Sequence, residues 1–386
     1  MITSEYPPQP GGVSDYTRQV AHALAECGDE VDVWCPIDHQ TQTGVSGIRV
    51  HGELGQVRLK NLRRVGAALD CFSTPRKLLL QWVPHGYGWR SMNVPFCVWL
   101  WTRSVFRGDE IDIMIHEPFL MFGERGWKQD LAAAVHRVMT LILLRSARRI
   151  WVSTPAWAVL LKPYALGKQL SFGWLPVPGN IPVVDDPAGV AAVRSRFNPG
   201  MTLFGHFGTY GRVITDQLRQ MIPKLLDSMP NAAVLLIGPG SERFRNDLIA
   251  AHPSTASRVM DTGFLSVSDV SHHIAACDVM MQPFPDGVTT RRTSVMAALA
   301  HSRAVITTSG RLTEPLWAES QAVAIHEVGD LTAFTKLAQQ LCEDPAQRSL
   351  LGRKANALYT ERFDISCVVN TLRGSEGEAR LRSCVS

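Results

Sequence analysis

Residues 201–240 read MTLFGHFGTYGRVITDQLRQMIPKLLDSMPNAAVLLIGPG. An apolar run, Leu203 to Phe207, ends in a glycine-bearing turn, Gly208 to Arg212. Helix-spaced apolar residues follow from Thr215 to Asp227, and a second apolar run, Ala233 to Ile237, ends in Gly238-Pro239-Gly240. Two short apolar runs flanking an amphipathic helix predict a β-α-β unit with parallel strands, because strands covered on both faces lose polar alternation. The rhythm continues downstream. Val259 leads into Gly263, Val267 to Ala276 reads as a helix, Asp278 to Met281 as a strand, Thr293 to Ala300 as a helix and Ala304 to Thr307 as a strand. Helices over Leu331 to Cys342 and Ala346 to Phe363 close the series.

Upstream, Trp174 to Pro182 (WLPVPGNIP) is proline-rich and extended, which is linker chemistry. Before it the strand–helix alternation runs once already. A Pro/Gly turn, Tyr6 to Gly12, precedes a helix from Asp15 to Glu26 that Ser14 is placed to cap and Gly28 to end. Val31 to Trp34 is a strand, Ile111 to Ile115 a buried strand, Leu131 to Ser146 an apolar helix and Arg149 to Ser153 a further strand. The strand that should precede Tyr6 is reduced to a stub, Met1 to Ser4, or lies upstream of the given sequence. The expected organisation is two α/β domains with parallel sheets, residues 1–180 and 200–363, and a tail, 364–386, whose last part from Gly374 has no hydrophobic period.

With 45% hydrophobic and 19% charged residues, the chain has the balance of a protein that buries real cores. The eight cysteines form no C-x-x-C pair, so neither a zinc site nor a disulfide framework is expected, and scattered thiols fit a reducing compartment. No secretory leader is visible at Met1, and the apolar stretches Ser91 to Thr102 and Ile150 to Leu161 are too short to span a bilayer. Charge is unevenly spread. Arg58 to Arg107 holds nine basic residues against one acid, Asp70, a local +8 in a chain of net +4, leaving −4 elsewhere. The same stretch carries Trp82, Tyr87, Trp89, Phe96, Trp99, Trp101 and Phe106. That mixture fits an anionic membrane surface, a phosphate-bearing partner, nucleic acid, or a solvated basic face over an ordinary aromatic core.

Ligands of parallel α/β sheets bind beyond the carboxyl ends of the strands, and the polar turns lie there. Gly11 and Gly12 precede a helix and either let backbone N–H groups approach an anion or only form a turn. His116, with Glu117 and Pro118, follows a buried strand, as a hydrogen-bond partner for a substrate hydroxyl or as a core-satisfied histidine. Arg212, after Gly208, is a diphosphate donor or a surface arginine. The richest patch is Pro283 to Ser294, PFPDGVTTRRTS. Arg291 and Arg292, beside the hydroxyls of Thr293 and Ser294 at a helix start, make an anion site, and Asp286 can accept bonds from sugar hydroxyls. The sequence contains no P-loop, H-E-x-x-H, G-x-S-x-G or G-x-G-x-x-G. Those absences argue against an NTPase, a zinc protease, an α/β-hydrolase and an NAD enzyme.

Taken together, YPPQPGGVSDYTRQVAHALAECGDEVDVWCP, IHEP and the series from FGTYGR to RRTSVMAALAHSRAVITTSG resemble the family-4 retaining glycosyltransferases of GT-B architecture. The resemblance implies two Rossmann-like domains with parallel sheets facing each other across a cleft, an acceptor-side domain first and a nucleotide-sugar domain second. It implies donor contacts from Gly11 and Gly12, catalytic support from His116, and diphosphate binding by Arg212, without the usual lysine close after it. In the family's E-x7-E pattern the first Glu appears here as Asp286. The second aligns with Ala297, with extra residues between, so Arg291 and Arg292 take the altered stretch. The implied reaction retains anomeric configuration, needs no metal and no cofactor beyond the nucleotide-sugar co-substrate, and uses a glycan or lipid-linked acceptor. Apart from the resemblance, the charge and aromatics of 58–107 predict contact with an anionic acceptor or a peripheral membrane surface; no nucleic-acid partner is expected, and the expected location is the cytoplasm, at the inner membrane face where the membrane contact holds. Two other readings compete: a nucleotide-sugar isomerase or hydrolase, for which Glu117, Glu124 and Asp286 are the available carboxylates, and a non-catalytic subunit of the same fold.

Overall fold

The computed structural model describes residues 1–36, 46–88, 91–123 and 126–374; Trp89, Arg90, Glu124 and the end of the tail lie outside them. The chain forms two compact units, one of Met1–Pro176 with the segment from Ile365 onward, the other of Val177–Asp364.

The first unit opens with helix α1 (Gly12–Glu26), whose buried stripe includes Tyr16, Val20 and Ala21. It starts earlier than Ser14. Gly11 holds the N-cap position, and the Ser14 hydroxyl donates instead to the Gln9 carbonyl at 2.7 Å. Gly28, at φ +88, ends the helix in the left-handed conformation that glycine adopts without a Cβ penalty. Strands β1 (Val31–Trp34) and β2 (Ile48–His51) follow, then α2 (Leu59–Leu69), β3 (Lys77–Trp82), α3 (Val94–Phe106), β4 (Glu110–Ile115), α4 (Trp127–Ser146), β5 (Ala147–Val152), α5 (Pro155–Leu161) and β6 (Ser171–Trp174). β1 pairs with β2, and β3 to β6 pair in sequence order, all in parallel. Met1–Thr3 lies between the two sets. Ile2 bridges Trp34 and Leu80, its N–H donates to the Leu79 carbonyl at 2.9 Å, and Thr3 N–H donates to the Trp34 carbonyl at 3.0 Å. The stub therefore occupies the central position between β1 and β3.

The second unit contains α6 (Pro187–Arg194), β7 (Thr202–Phe207), α7 (Arg212–Ser228), β8 (Ala232–Ile237), α8 (Ser241–Ala251), β9 (Val259–Asp261), α9 (Val267–Ala276) and β10 (Val279–Gln282). It continues with α10 (Thr293–Ala300), β11 (Ala304–Ser309), α11 (Leu316–Glu319), β12 (Ala324–Glu327), α12 (Leu331–Glu343) and α13 (Pro345–Arg362). The sheet order is β12-β11-β10-β7-β8-β9, with every pair parallel. Alternate residues serve opposite faces: Leu203, Ala233, Leu235 and Ile237 enter one core, while Phe204, Val234, Leu236 and Met281 enter the other. Each buried Leu, Ile, Val, Phe or Met among them contributes about 1.5–3 kcal/mol through burial, and the double coverage explains why their strands read as unbroken apolar runs. The residues expected as a tail from 364 begin with a helix, α14 (Ile365–Leu372), which packs on α1, while Arg373 pairs with Asp29 at 3.3 Å.

Candidate functional site

In the second unit the chain runs from β7 outward through β8 and β9, then returns to build β10, β11 and β12 on the other side of β7. The reversal makes the carboxyl ends of β7 and β10 the topological switch point, where open α/β sheets take their ligands. The Gly208–Arg212 turn and the Pro283–Arg292 loop both leave the sheet there.

The β7 turn is tightly made. Tyr210 stands at φ 53, a conformation costly for a side chain of its size. It is held by its hydroxyl donating to the His206 carbonyl at 3.0 Å and by stacking on Phe244. Gly238, at φ +114, lets the next strand end approach: a Cβ there would lie 2.4 Å from the Gly208 carbonyl oxygen. His206 Nδ1–H donates to the Met281 carbonyl across the switch point at 2.8 Å, and burial lowers its pKa to about 4, so the ring is neutral at pH 7. A Cβ on Gly208 would lie 3.2 Å from His206 Nε2, so glycine keeps that nitrogen approachable. Beside it, fully buried Gln282 donates to the Phe207 carbonyl at 3.3 Å, and its Oε1 has no partner among the described residues. Arg212 opens α7 with 93% of its side chain exposed, 3.9 Å from Asp216.

The loop after β10 is clamped along its length. Thr308 on β11 bonds both backbone groups of Phe284 through its hydroxyl, each at 2.7 Å, and Val288 N–H donates to the Thr308 carbonyl at 2.8 Å. The buried Glu314 carboxylate accepts from Thr290 N–H at 3.1 Å, the Thr290 hydroxyl at 2.9 Å and Trp317 Nε1–H at 2.8 Å. Within this frame Asp286 accepts from Arg291 Nη2 at 2.9 Å and from Arg292 Nη2. The Arg292 guanidinium lies 4.5 Å from the centroid of Phe284. Thr293 and Ser294, both half-buried, begin α10, with Arg292 in the N-cap position. The sequence-read cluster is thus assembled, and the anion its arginines hold is the chain's own Asp286. Ala297 is fully buried. The proline-rich segment runs over it: Val177 N–H donates to the Thr290 carbonyl at 3.0 Å, and a Cβ on Gly179 would come within 3.3 Å of the Ala297 nitrogen.

In the first unit the glycine turn is also occupied. Glu5 Oε1 accepts from Val13 N–H at 3.1 Å and Ser14 N–H at 3.3 Å, and a Cβ on Gly11 would lie 2.5 Å from Glu5 Oε2. Gly12 faces open space. His116 follows β4. Its Nε2 pairs with Gln81 Oε1 at 2.9 Å, its ring meets Tyr16 of α1 edge-on at 4.8 Å, and its carbonyl accepts from Trp157 Nε1–H at 3.0 Å. Burial lowers its pKa to about 3, so it too is neutral at pH 7. Glu117 sits 3.5 Å from His85. A cavity of about 1000 Å³ opens at the carboxyl ends of these strands, lined among others by Ser4, Gln9, Arg58, Lys60, Gly88 and Asn93; among the described residues its lining has two cations and no carboxylate.

Glu5, His206, Tyr210, Gln282 and Glu314 escaped the sequence reading. Tyr210, between two glycines of a strand-end turn, and Gln282, a polar residue closing an apolar strand, each carried a local signal. Glu314 acts on a residue far from it in sequence and carried none. Among the described residues no group of His, Cys, Asp and Glu side chains is gathered to hold a metal, and no helix is long and apolar enough to cross a membrane.

Residues 202–344 match the family model of glycosyl transferases group 1. That span contains the whole switch-point site, from the β7 turn to Glu314. Comparison with curated protein sequences gave no match. Three solved structures show the fold. HepE from Anabaena, crystallised with UDP and glucose, has 15% identity over 97% of this chain and 98% of its own, at TM-score 0.66. Sucrose-phosphate synthase from Thermosynechococcus elongatus has 15% identity over 96% and 97%, at TM-score 0.68. A glycosyltransferase from Rickettsia africae ESF-5 has 11% identity over 96% of both chains, at TM-score 0.70. The architecture is the GT-B fold of glycosyltransferases, two α/β units with parallel sheets.

Proposed function

We propose that the chain is a retaining, metal-independent hexosyltransferase that moves a sugar from a nucleotide-sugar donor to a glycan or lipid-linked acceptor. The observation that carries the reading is the Asp286–Arg291–Arg292 cluster at the switch point, inside the segment that matches group 1 glycosyl transferases. In the reaction the bond from the anomeric carbon to the diphosphate oxygen breaks, its electron pair stays on the diphosphate, and the acceptor oxygen forms the new bond and releases its proton. Arg291, Arg292 and the first-turn N–H groups of α10 hold the charge that accumulates on the departing diphosphate, with Arg212 reaching it from the neighbouring turn. Asp286, once its arginines turn to the diphosphate, accepts from donor-sugar hydroxyls. His116 supports the chemistry as a neutral imidazole. The basic cavity beside Arg58 and Lys60 suits an acceptor that carries an anionic group.

The test is incubation with a panel of nucleotide sugars, with and without candidate acceptors, reading nucleoside diphosphate release and the fate of the sugar. Release that requires an acceptor supports transfer. Release without one means hydrolysis, and a chemically altered donor means isomerisation. The absence of any reaction favours a second reading, a non-catalytic subunit. That reading draws on Ala297, which offers no side-chain acceptor where the resembled family has its second Glu.

A further inference from the structure

The helices of the first unit leave an apolar surface uncovered. α3 packs between α2 and α4. Its inner residues, Phe96, Cys97 and Leu100, are fully buried. Val98, Trp101 and Val105 recur at helical spacing on its outer side, followed by Phe106, which is 71% exposed and touches the Trp101 ring edge-on. α4 continues the surface with Trp127, 72% exposed, Leu131 and Val138. Among the described residues every exposed Phe and Trp except Phe264 lies between Phe72 and Trp127. Folding gives no reason to turn these side chains to solvent, and contiguous patches of this kind mark interaction sites.

The rim of that surface is cationic. Lys60, Arg63 and Arg64 project from α2, which carries no acid, and Arg107 follows α3 with 61% of its side chain exposed. Two other basic residues of the segment behave differently: Arg76 and Arg103 are buried against Asp109, and Asp70 accepts from Arg103 at 2.9 Å. The aromatics Trp82, Tyr87 and Phe96 stack in the core. The sequence-level mixture thus sorts into a structural interior and an outward face of aliphatic, aromatic and cationic groups. We propose that the outer face of α2, α3 and α4 docks on an anionic lipid bilayer, with α3 and α4 in the headgroup–acyl boundary and the α2 cations on lipid phosphates. A second copy of the chain fits less well, because a symmetric pairing sets the same cationic rim against itself. Valines and leucines at its centre do not suit nucleic acid. The proposal stands apart from the transfer reading, since lipid binding is measured without turnover.

The experiment is sedimentation of the full chain with phosphatidylcholine vesicles and with vesicles in which a third of the lipid is phosphatidylglycerol, at low and high salt. Binding is expected on the anionic vesicles, falling as salt rises. Arg63→Ala and Arg64→Ala should each lower the partition coefficient about fivefold, equivalent to about 1 kcal/mol per cation. Phe106→Ser with Trp127→Ser should lower it on the same vesicles while leaving the melting transition in place, because both residues are exposed. Equal, salt-independent binding to neutral vesicles overturns the proposal, as does unchanged binding by the arginine variants. A chain that ignores vesicles but forms a dimer broken by Phe106→Ser also overturns it and assigns the face to a second copy.

Discussion

Removing the Asp286 carboxylate should tighten the binding of a bare nucleoside diphosphate. Asp286 occupies one Nη2 of each arginine, and the side chains of Asp286, Arg291 and Arg292 are 16%, 20% and 23% exposed. A diphosphate that uses the same donors must first displace Asp286. Charge-assisted hydrogen bonds contribute about 1.5–3 kcal/mol each, and partial exposure places these two near the lower end. If one arginine swings to the diphosphate, Asp286→Ala removes a cost of about 1.5 kcal/mol; if both do, about 3 kcal/mol. The nucleoside diphosphate should therefore bind roughly tenfold to a hundredfold more tightly to Asp286→Ala than to the parent chain. The intact nucleotide sugar should gain less, because the sugar hydroxyls lose their acceptor. Folding stability should fall by about 1–3 kcal/mol, since two partly buried guanidinium groups each lose a carboxylate partner. Calorimetry with the diphosphate and with the donor, beside thermal unfolding of each variant, separates these effects. The reasoning is refuted if Asp286→Ala binds the diphosphate no more tightly than the parent. If Arg291→Ala and Arg292→Ala also leave that affinity unchanged, the cluster is a structural clamp, and Arg212 remains as the diphosphate ligand.

Three further outcomes follow from the same geometry. His206, 3% exposed, has its pKa lowered to about 4, so below the ordinary histidine value the unfolded chain takes up a proton that the folded chain refuses. Stability from this group is full above about pH 6.5 and is lost between there and about pH 4, by about 3 kcal/mol; urea unfolding across that window should show the loss, reduced in His206→Gln. Gly287→Ala should destabilise the loop by about 1–3 kcal/mol and weaken diphosphate binding, because Gly287 sits at φ +87 and its Cβ would lie 2.4 Å from the Gly310 nitrogen; unchanged melting would show that the loop can shift. Glu314→Leu should lower the denaturant midpoint by the equivalent of about 2–3 kcal/mol, because Thr290 and Trp317 lose their buried acceptor, and Glu314→Gln should cost less.

The second unit was legible because its strands are covered on both faces and its turns sit at strand ends, so apolar runs and glycines mark the boundaries together. The errors there have local causes. α7 begins at Arg212 and not Thr215, since the Thr215 hydroxyl bonds back to the Arg212 carbonyl at 3.0 Å from inside the helix. The first unit hid more. β3 (KLLLQW) and α3 (VPFCVWLWTRSVF) are both dense in apolar residues. With α3 presenting such residues on its outer side as well, the polar half of the helical period disappears. β2 and β6 are only four residues long. The basic charge between them does not form one surface, because Asp109 draws Arg76 and Arg103 inward.

The site divides along the same line. Residue types point to an anion site wherever glycines or arginines stand at a helix start, and the sequence offers two such places: Gly11–Gly12 before α1 and Arg291–Arg292 before α10. What holds each of them in the structure is a carboxylate of the chain itself, Glu5 in the first and Asp286 in the second. Both carboxylates precede the donors they meet, Glu5 by eight and nine residues and Asp286 by five and six, so each can fold back on its own loop, and nothing in a residue pattern separates a carboxylate that awaits a sugar from one that stands in for a phosphate. The distinction is energetic. A diphosphate offers each loop more negative charge and more acceptor oxygens than one carboxylate does, so a carboxylate can keep the loop ordered until a stronger anion arrives. The arginine pair offers two cations, whereas the glycine turn offers the backbone N–H groups that Glu5 now accepts, so a diphosphate gains more at the arginines. Phosphate exchange is therefore expected at the arginine pair, with the glycine turn before α1 left closed on Glu5.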